Sequence, residues 1–136
     1  MRESRAGPLT APRKRHRVRF TVVYYRMEDG REPIREFLDE LRGPSPILHA
    51  LLASGLTKIE DGDNHRKPLT EIVDKKARIF EVRVGRTDIA RVFWCFGKER
   101  GVIVALSGYV KQQQALDRGE LDRARWYKKE MERRGG

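Results

Sequence analysis

Three apolar stretches with strong β propensity, each interrupted by a cation, constrain the fold of this chain more than any other feature. They contain residues 80–83, 91–94 and 108–111. Lys and Arg are rarely buried without a partner, so cations that recur in successive strands indicate a sheet face that handles an anion. A phosphodiester is the obvious candidate for that anion.

Length and charge limit the class of protein. The chain has 136 residues, which suits one domain with a core that needs no disulfide or metal. Its formal net charge of +10 favours a polyanionic partner, because neutralising phosphates with Lys and Arg releases counterions. Cys95 is the single cysteine, so an intramolecular disulfide is excluded and a reducing compartment is favoured. We interpret Cys95 as a small buried side chain.

No apolar segment approaches the length that crosses a bilayer, and the N-terminus lacks the apolar core of a secretory signal. A cytoplasmic protein that does not enter a membrane is therefore expected.

Residues 1–17 are rich in arginine, include Pro8 and Pro12 and have almost nothing to bury, which predicts a flexible basic arm. Residues 18–136 are predicted to form the folded domain.

The order of elements is predicted to be β-α-α-β-β-β-α. Short turns between the last three strands indicate an antiparallel meander. The strands are expected at 18–25, 79–84, 89–96 and 102–110, and the helices from Pro33 to Leu41, from Pro46 to about Ile59 and over 120–133. The fold class is therefore α+β, an antiparallel β-sheet flanked by helices.

Alternation along the strands predicts which charges share a face, because successive side chains point to opposite sides of a sheet. Glu81 and Arg83 then lie on one face, and Arg91 and Phe93 lie beside them with Cys95. In the last strand the polar set is Ile103, Ala105, Ser107, Tyr109 and Lys111. A final helix over this face is expected to bury Cys95 while Arg91 stays open.

Such a face has two interpretations that the residues alone leave open. In the first interpretation Glu81 is a candidate base and the cations of the face are ligands for phosphate. The face is equally typical of a cross-strand salt-bridge cluster, in which Glu81 pairs with Arg83 or Arg91 to neutralise charge on a half-exposed sheet.

The segments and their order resemble the HigB-like branch of the RelE/ParE toxin superfamily, which includes phage-derived members. The resemblance extends over residues 18–134. It rests on Val23-Tyr24-Tyr25 followed by residues 29–41, on Pro68-Leu69 before residues 80–83, on residues 91–94, and on residues 108–111 leading into 120–124.

This resemblance implies a small RelE-like domain that acts as the toxin of a type II toxin–antitoxin pair. Such toxins enter the ribosomal A site and cut mRNA without a metal or other cofactor, by attack of the RNA 2′-hydroxyl on the adjacent phosphorus. The implied partners are the ribosome, mRNA and a cognate helix-turn-helix antitoxin.

The resemblance also implies roles for individual residues. Arg83 and Arg91 match the strand cations that clamp the scissile phosphate, Lys111 matches the cation at the end of the last strand, and Glu81 is the candidate base. The candidate substrate-binding residues are Tyr109, Gln112 and Phe93. The histidines His16, His49 and His65 have no metal-ligand spacing, so no metal site is predicted.

Two positions depart from the pattern. Gln112 stands where relatives commonly have a second cation, and Asp117 replaces a proline before the last helix. Gln112 can bond to a phosphate but cannot neutralise it, which keeps open a non-catalytic protein of the same fold that binds RNA or antitoxin. A gyrase-poisoning activity, found in the ParE branch, is the third alternative.

Overall fold

The computed structural model describes residues 18–111 and 116–135. Within them, five strands form one sheet that three α-helices cover. In chain order the elements are β1 (Thr21–Tyr24), α1 (Pro33–Arg42), α2 (Pro46–Lys58), β2 (Thr70–Asp74), β3 (Ile79–Gly85), β4 (Ile89–Phe96), β5 (Val102–Lys111) and α3 (Arg118–Arg133). The predicted basic arm, residues 1–17, lies outside the described residues, so the division at residue 18 stays a prediction.

The α+β class is confirmed, but the sheet is mixed and not fully antiparallel. The strand order is β1-β5-β4-β3-β2, and strands β2 to β5 pair in antiparallel fashion. Strand β1 pairs with β5 in parallel, with Thr21 opposite Val102. The expectation failed here because the long connection between β1 and β5 leaves the direction of β1 free, whereas tight turns fix the direction of the other strands.

Strand β2 is an element that the predicted order lacks. It pairs with β3 at the edge of the sheet, with Glu71 opposite Glu81. Charged residues at two of its five positions, Glu71 and Asp74, weaken the apolar pattern that identifies a strand from sequence. The β-branched residues Thr70, Ile72 and Val73 are the signal that was available.

The sheet buries a different set of side chains on each face. Helices α1 and α2 cover one face, where Val82, Val92 and Trp94 are fully buried. Helix α3 covers part of the other, called here the α3 face, where Ile79, Phe93 and Cys95 are fully buried. Cys95 is fully buried, which confirms its interpretation as a buried side chain, and burial raises the pKa of its thiol to about 12.

A buried polar cluster fastens the C-terminal end of α3 to the chain after β1. The Tyr25 hydroxyl donates a hydrogen bond to the Glu130 carboxylate, which also pairs with Arg134. Arg134 and Tyr25 together lower the pKa of Glu130 to about 2. Burial, reinforced by Glu130, raises the pKa of Tyr25 to about 12. These contacts hold α3 against the sheet.

A β-bulge in β5 corrects the predicted face of that strand. Phe93 lies opposite Ser107, but the next residue of β4, Trp94, lies opposite Ala105. The extra residue reverses the alternation, as bulges do. Ile103 and Ala105 therefore pack under α1 and α2, while Leu106 and Tyr109 pack on the α3 face.

A helix that crosses a bilayer must be long and mostly apolar, and this criterion applies to the three α-helices of the described residues. None of them is long and apolar enough to span a membrane.

Gly108 is required by the close approach of α1 to β5, and its replacement tests this packing. A Cβ at this position lies 2.5 Å from Cδ2 of Phe37 and 3.0 Å from the Arg91 carbonyl oxygen. We expect Gly108→Ala to lower the free energy of unfolding by about 1–3 kcal/mol through overpacking, measured by urea denaturation. Gly43→Ala is the control, because nothing lies within 4 Å of that Cβ. Equal stability of the two variants would contradict this account.

Candidate phosphate-binding site on the α3 face

Consecutive register pairs bring the predicted site residues together. Arg83 lies opposite Arg91 across β3 and β4, and Arg91 lies opposite Tyr109 across β4 and β5. Glu81 lies opposite Phe93 on the same face. The prediction from alternation that these side chains share one face is therefore confirmed.

At the centre of this face, Glu81 and Arg91 form a buried ion pair. Nη1 of Arg91 donates to Oε1 of Glu81 at 2.7 Å and to Oε2 at 2.9 Å. Glu81 is 2% exposed and Arg91 is 1% exposed, so the expectation that Arg91 stays open is wrong. Phe93 and Tyr109, which flank Arg91 on β4 and β5, are buried with it. A charged hydrogen-bonded pair is the usual way in which a protein tolerates such burial.

Arg83 is a cation of this face that reaches solvent, and it lies beside the buried pair. Its side chain is 33% exposed, with Nη1 lying 3.9 Å from Oε1 of Glu81 and Nη2 lying 3.7 Å from Oε1 of Glu71. Both distances exceed that of a good hydrogen bond, so the guanidinium keeps donors for an incoming anion.

Glu71 is the residue of this site that the sequence analysis missed, because β2 was missed. Its side chain is 32% exposed, against 3% for that of Glu81. It lies opposite Glu81 in the β2–β3 pairing, and Oε2 lies 4.0 Å from Nζ of Lys67. Glu71 is therefore the accessible carboxylate of the site and Glu81 the buried one.

Tyr109 and Asp117 connect β5 to the start of α3. The backbone N–H of Asp117 donates to the Tyr109 hydroxyl at 3.0 Å, and the Asp117 carboxylate accepts from the N–H of Glu120 at 3.0 Å. Asp117 thus caps α3, which gives a physical reason for the departure noted in the sequence: a proline has no N–H for Tyr109. Burial raises the pKa of Tyr109.

The remaining predicted residues differ in their access to substrate. The side chain of Lys111 is 28% exposed, and its Nζ lies 3.9 Å from Oδ2 of Asp117. Phe93 is fully buried and Tyr109 nearly so, with ring centroids 5.8 Å apart, so neither presents a ring face to an RNA base. Helix α3 packs over this part of the sheet, and a substrate-binding role for the two residues stays a prediction. Gln112 lies outside the described residues.

A metal site needs several His, Cys, Asp or Glu side chains close together. Residues 18–111 and 116–135 contain no group of three or more His, Cys, Asp or Glu side chains placed to hold a metal ion.

A double-mutant cycle tests the structural role of the buried pair. We expect Arg91→Met to lower the free energy of unfolding by about 3–5 kcal/mol, because it leaves the Glu81 carboxylate buried without its main partner. Adding Glu81→Leu should recover much of that loss, since apolar pairs often replace buried ion pairs at little cost. Both are measured by urea denaturation.

The control is Arg35→Met, which removes an exposed pair whose Nε to Oε1 distance to Glu32 is 2.6 Å. We expect it to leave the free energy of unfolding close to that of the wild type, because an exposed ion pair contributes little stability. Wild-type stability of Arg91→Met would refute the structural role of the pair.

Comparison with known proteins identifies the family. The profile of the family described as phage-derived protein Gp49-like matches residues 39–132, which is more than half of the chain. The matched segment includes strands β2 to β5, most of α3 and every residue of the site described above. Searches of curated proteins and of solved structures give no significant match. The chain belongs to the phage-derived Gp49-like family, which is part of the RelE/HigB-like toxin superfamily.

Proposed function

We propose that this protein is a HigB-like toxin of a type II toxin–antitoxin system that cuts mRNA on the ribosome and so inhibits translation. Membership of the Gp49-like family is consistent with a toxin of this kind. The observation that carries the proposal is the location of Arg83 and Lys111, two partly exposed cations at the solvent side of one sheet face. The ribosome, mRNA and a helix-turn-helix antitoxin are the proposed partners, and the cytoplasm is the proposed compartment.

The proposed reaction needs no metal. The 2′-oxygen of the RNA bonds to the adjacent phosphorus while the bond from phosphorus to the 5′-oxygen breaks, leaving a 2′,3′-cyclic phosphate and a free 5′-hydroxyl. A base takes the 2′-hydroxyl proton, cations stabilise the charge on the phosphate oxygens, and an acid protonates the leaving oxygen.

The solvent exposure of each side chain indicates which of these roles it can take. Arg83 binds the scissile phosphate, because its guanidinium can donate to two phosphate oxygens and stays charged. Glu71 is a better base than Glu81, since it is accessible and close to Arg83, whereas both oxygens of Glu81 accept bonds from Arg91. Lys111 is a second phosphate ligand or the acid. Arg91 is a positioning residue that holds Glu81 below Arg83.

A non-catalytic protein of the same fold, binding RNA or antitoxin only, is the second candidate. The observation that favours it is the burial of Arg91 against Glu81, which takes one of the expected phosphate ligands out of reach. In this alternative the exposed cations bind RNA but no base and acid act on it.

Substitution of the exposed cations tests the proposed function. Arg83→Ala and Lys111→Ala should each slow mRNA cleavage by about 10²–10³-fold, because each removes a donor to the charged transition state. Cleavage is measured by primer extension on mRNA from cells after induced expression, together with growth arrest. Arg42→Ala, an exposed arginine at the end of α1, is the control and should behave as wild type.

Three other outcomes have distinct meanings. Full cleavage by an Arg83→Ala, Lys111→Ala double variant would exclude the assigned site. Growth arrest by the wild type with intact mRNA would favour the non-catalytic candidate. Intact mRNA accompanied by damaged DNA would instead indicate gyrase as the target.

A further inference from the structure

A groove lies where α2 ends and β3 ends, next to the candidate site. Its volume is about 520 Å³, and its lining includes the cations Lys58, Arg66, Lys67 and Arg83. Among the described residues that line it there is no carboxylate and no aromatic ring. Since Arg83 also belongs to the candidate site, the groove and the site are continuous.

The fold holds these cations in place from three different segments. Lys58 is the last residue of α2, Arg66 and Lys67 lie in the connection to β2, and Arg83 lies in β3. The side-chain amide of Asn64 donates to the carbonyl oxygen of Lys58 at 2.8 Å, and the N–H of Arg83 donates to the carbonyl oxygen of Leu69 at 3.2 Å. These bonds fasten the connection to both α2 and β3, so the groove is preformed.

The charges of the groove are poorly neutralised by the protein itself. Within the described part of the chain, neither Lys58 nor Arg66 takes part in an ion pair. Lys67 and Arg83 share one carboxylate, that of Glu71, at 4.0 Å and 3.7 Å. Partly exposed pairs at such distances contribute little stability, so an incoming phosphate can displace Glu71 at small cost.

We infer that this groove binds the sugar–phosphate backbone of single-stranded RNA and leads the strand to Arg83. The inference rests on the proposed function and adds the path of the substrate to it. Four cations in a concave groove suit a flexible single strand that can bend into it. None of the described residues that line the groove is aromatic, so bases have no ring to stack on there. Binding should therefore be insensitive to sequence and strongly dependent on salt.

The salt dependence of RNA binding tests the groove directly. A fluorescent 2′-O-methyl oligouridine is the probe, because it lacks the attacking hydroxyl and cannot be cut. Its affinity is measured by fluorescence anisotropy between about 50 and 200 mM salt. If Lys58 and Lys67 each contact one phosphate, Lys58→Ala with Lys67→Ala should reduce the slope of log affinity against log salt by about 1.4.

The matched control removes the same charge elsewhere. Lys76 and Lys129 are exposed and line a different cavity, which also contains the carboxylates of Asp74 and Glu132. Lys76→Ala with Lys129→Ala should keep the wild-type slope. Equal slopes for the two double variants would overturn the inference, because net charge alone would then explain binding. A loss confined to the control variant would overturn it by assigning RNA to the other cavity.

Two further results separate this inference from the proposed function. If the Lys58→Ala, Lys67→Ala variant binds RNA as the wild type does while Arg83→Ala loses cleavage, the role of the groove is overturned and the proposed function stands. Groove-dependent RNA binding without cleavage by the wild type supports the groove and overturns the nuclease. Equal competition by a polyglutamate peptide would overturn the choice of RNA as ligand. Both lysine variants replace exposed side chains, so unchanged thermal unfolding verifies their folding.

Discussion

The buried ion pair between Glu81 and Arg91 is the interaction on which this sheet face depends. Arg83 and Arg91 lie directly opposite each other on β3 and β4, and like charges in that relation destabilise a sheet. Glu81 removes the conflict, because its Oε1 lies 2.7 Å from Nη1 of Arg91 and 3.9 Å from Nη1 of Arg83. A slip of one residue between the two strands would move these charges onto the apolar face under α1 and α2. The pair therefore supports the strand register as well as neutralising charge.

Burial divides the charges of this face into two groups with different consequences. Glu81 and Arg91 cancel each other inside the protein, where a lost partner is expensive. Arg83 and Lys111 lie at the solvent side, where their carboxylate partners are 3.7–3.9 Å away and their attraction is weak. Only the second group can exchange a protein carboxylate for a phosphate without a large penalty. The most accessible cations are thus better phosphate ligands than the arginine at the centre of the face.

Strand alternation predicted the shared face of Glu81, Arg83 and Arg91 because β3 and β4 are regular. It failed in β5, where one extra residue before Ser107 reverses the pattern, since a bulge depends on how two strands fit together. The parallel pairing of β1 with β5 was missed because it depends on a contact between segments distant in the chain. The edge strand β2 was missed for a different reason, since Glu71 and Asp74 weaken its apolar pattern. Burial of Arg91 was not predicted, because alternation assigns a side chain to a face but does not give its depth. On this face α3 packs against β4 and β5. That packing begins at Asp117, the residue that caps α3 and donates its N–H to Tyr109.

The same distribution of charge explains how a basic groove can lie next to a site that contains carboxylates. Glu81 is buried against Arg91 and the Asp117 carboxylate caps α3, and neither residue lines the groove. Glu71 is an acidic residue of the site that contacts the cations of the groove, and its carboxylate is shared by Lys67 and Arg83. An RNA phosphate that binds Arg83 must therefore compete with Glu71, and the displaced carboxylate would remain beside the bound nucleotide. When Arg83 exchanges Glu71 for the phosphate, it becomes the cation bound to the phosphate, and the released Glu71 carboxylate becomes a base near the 2′-hydroxyl.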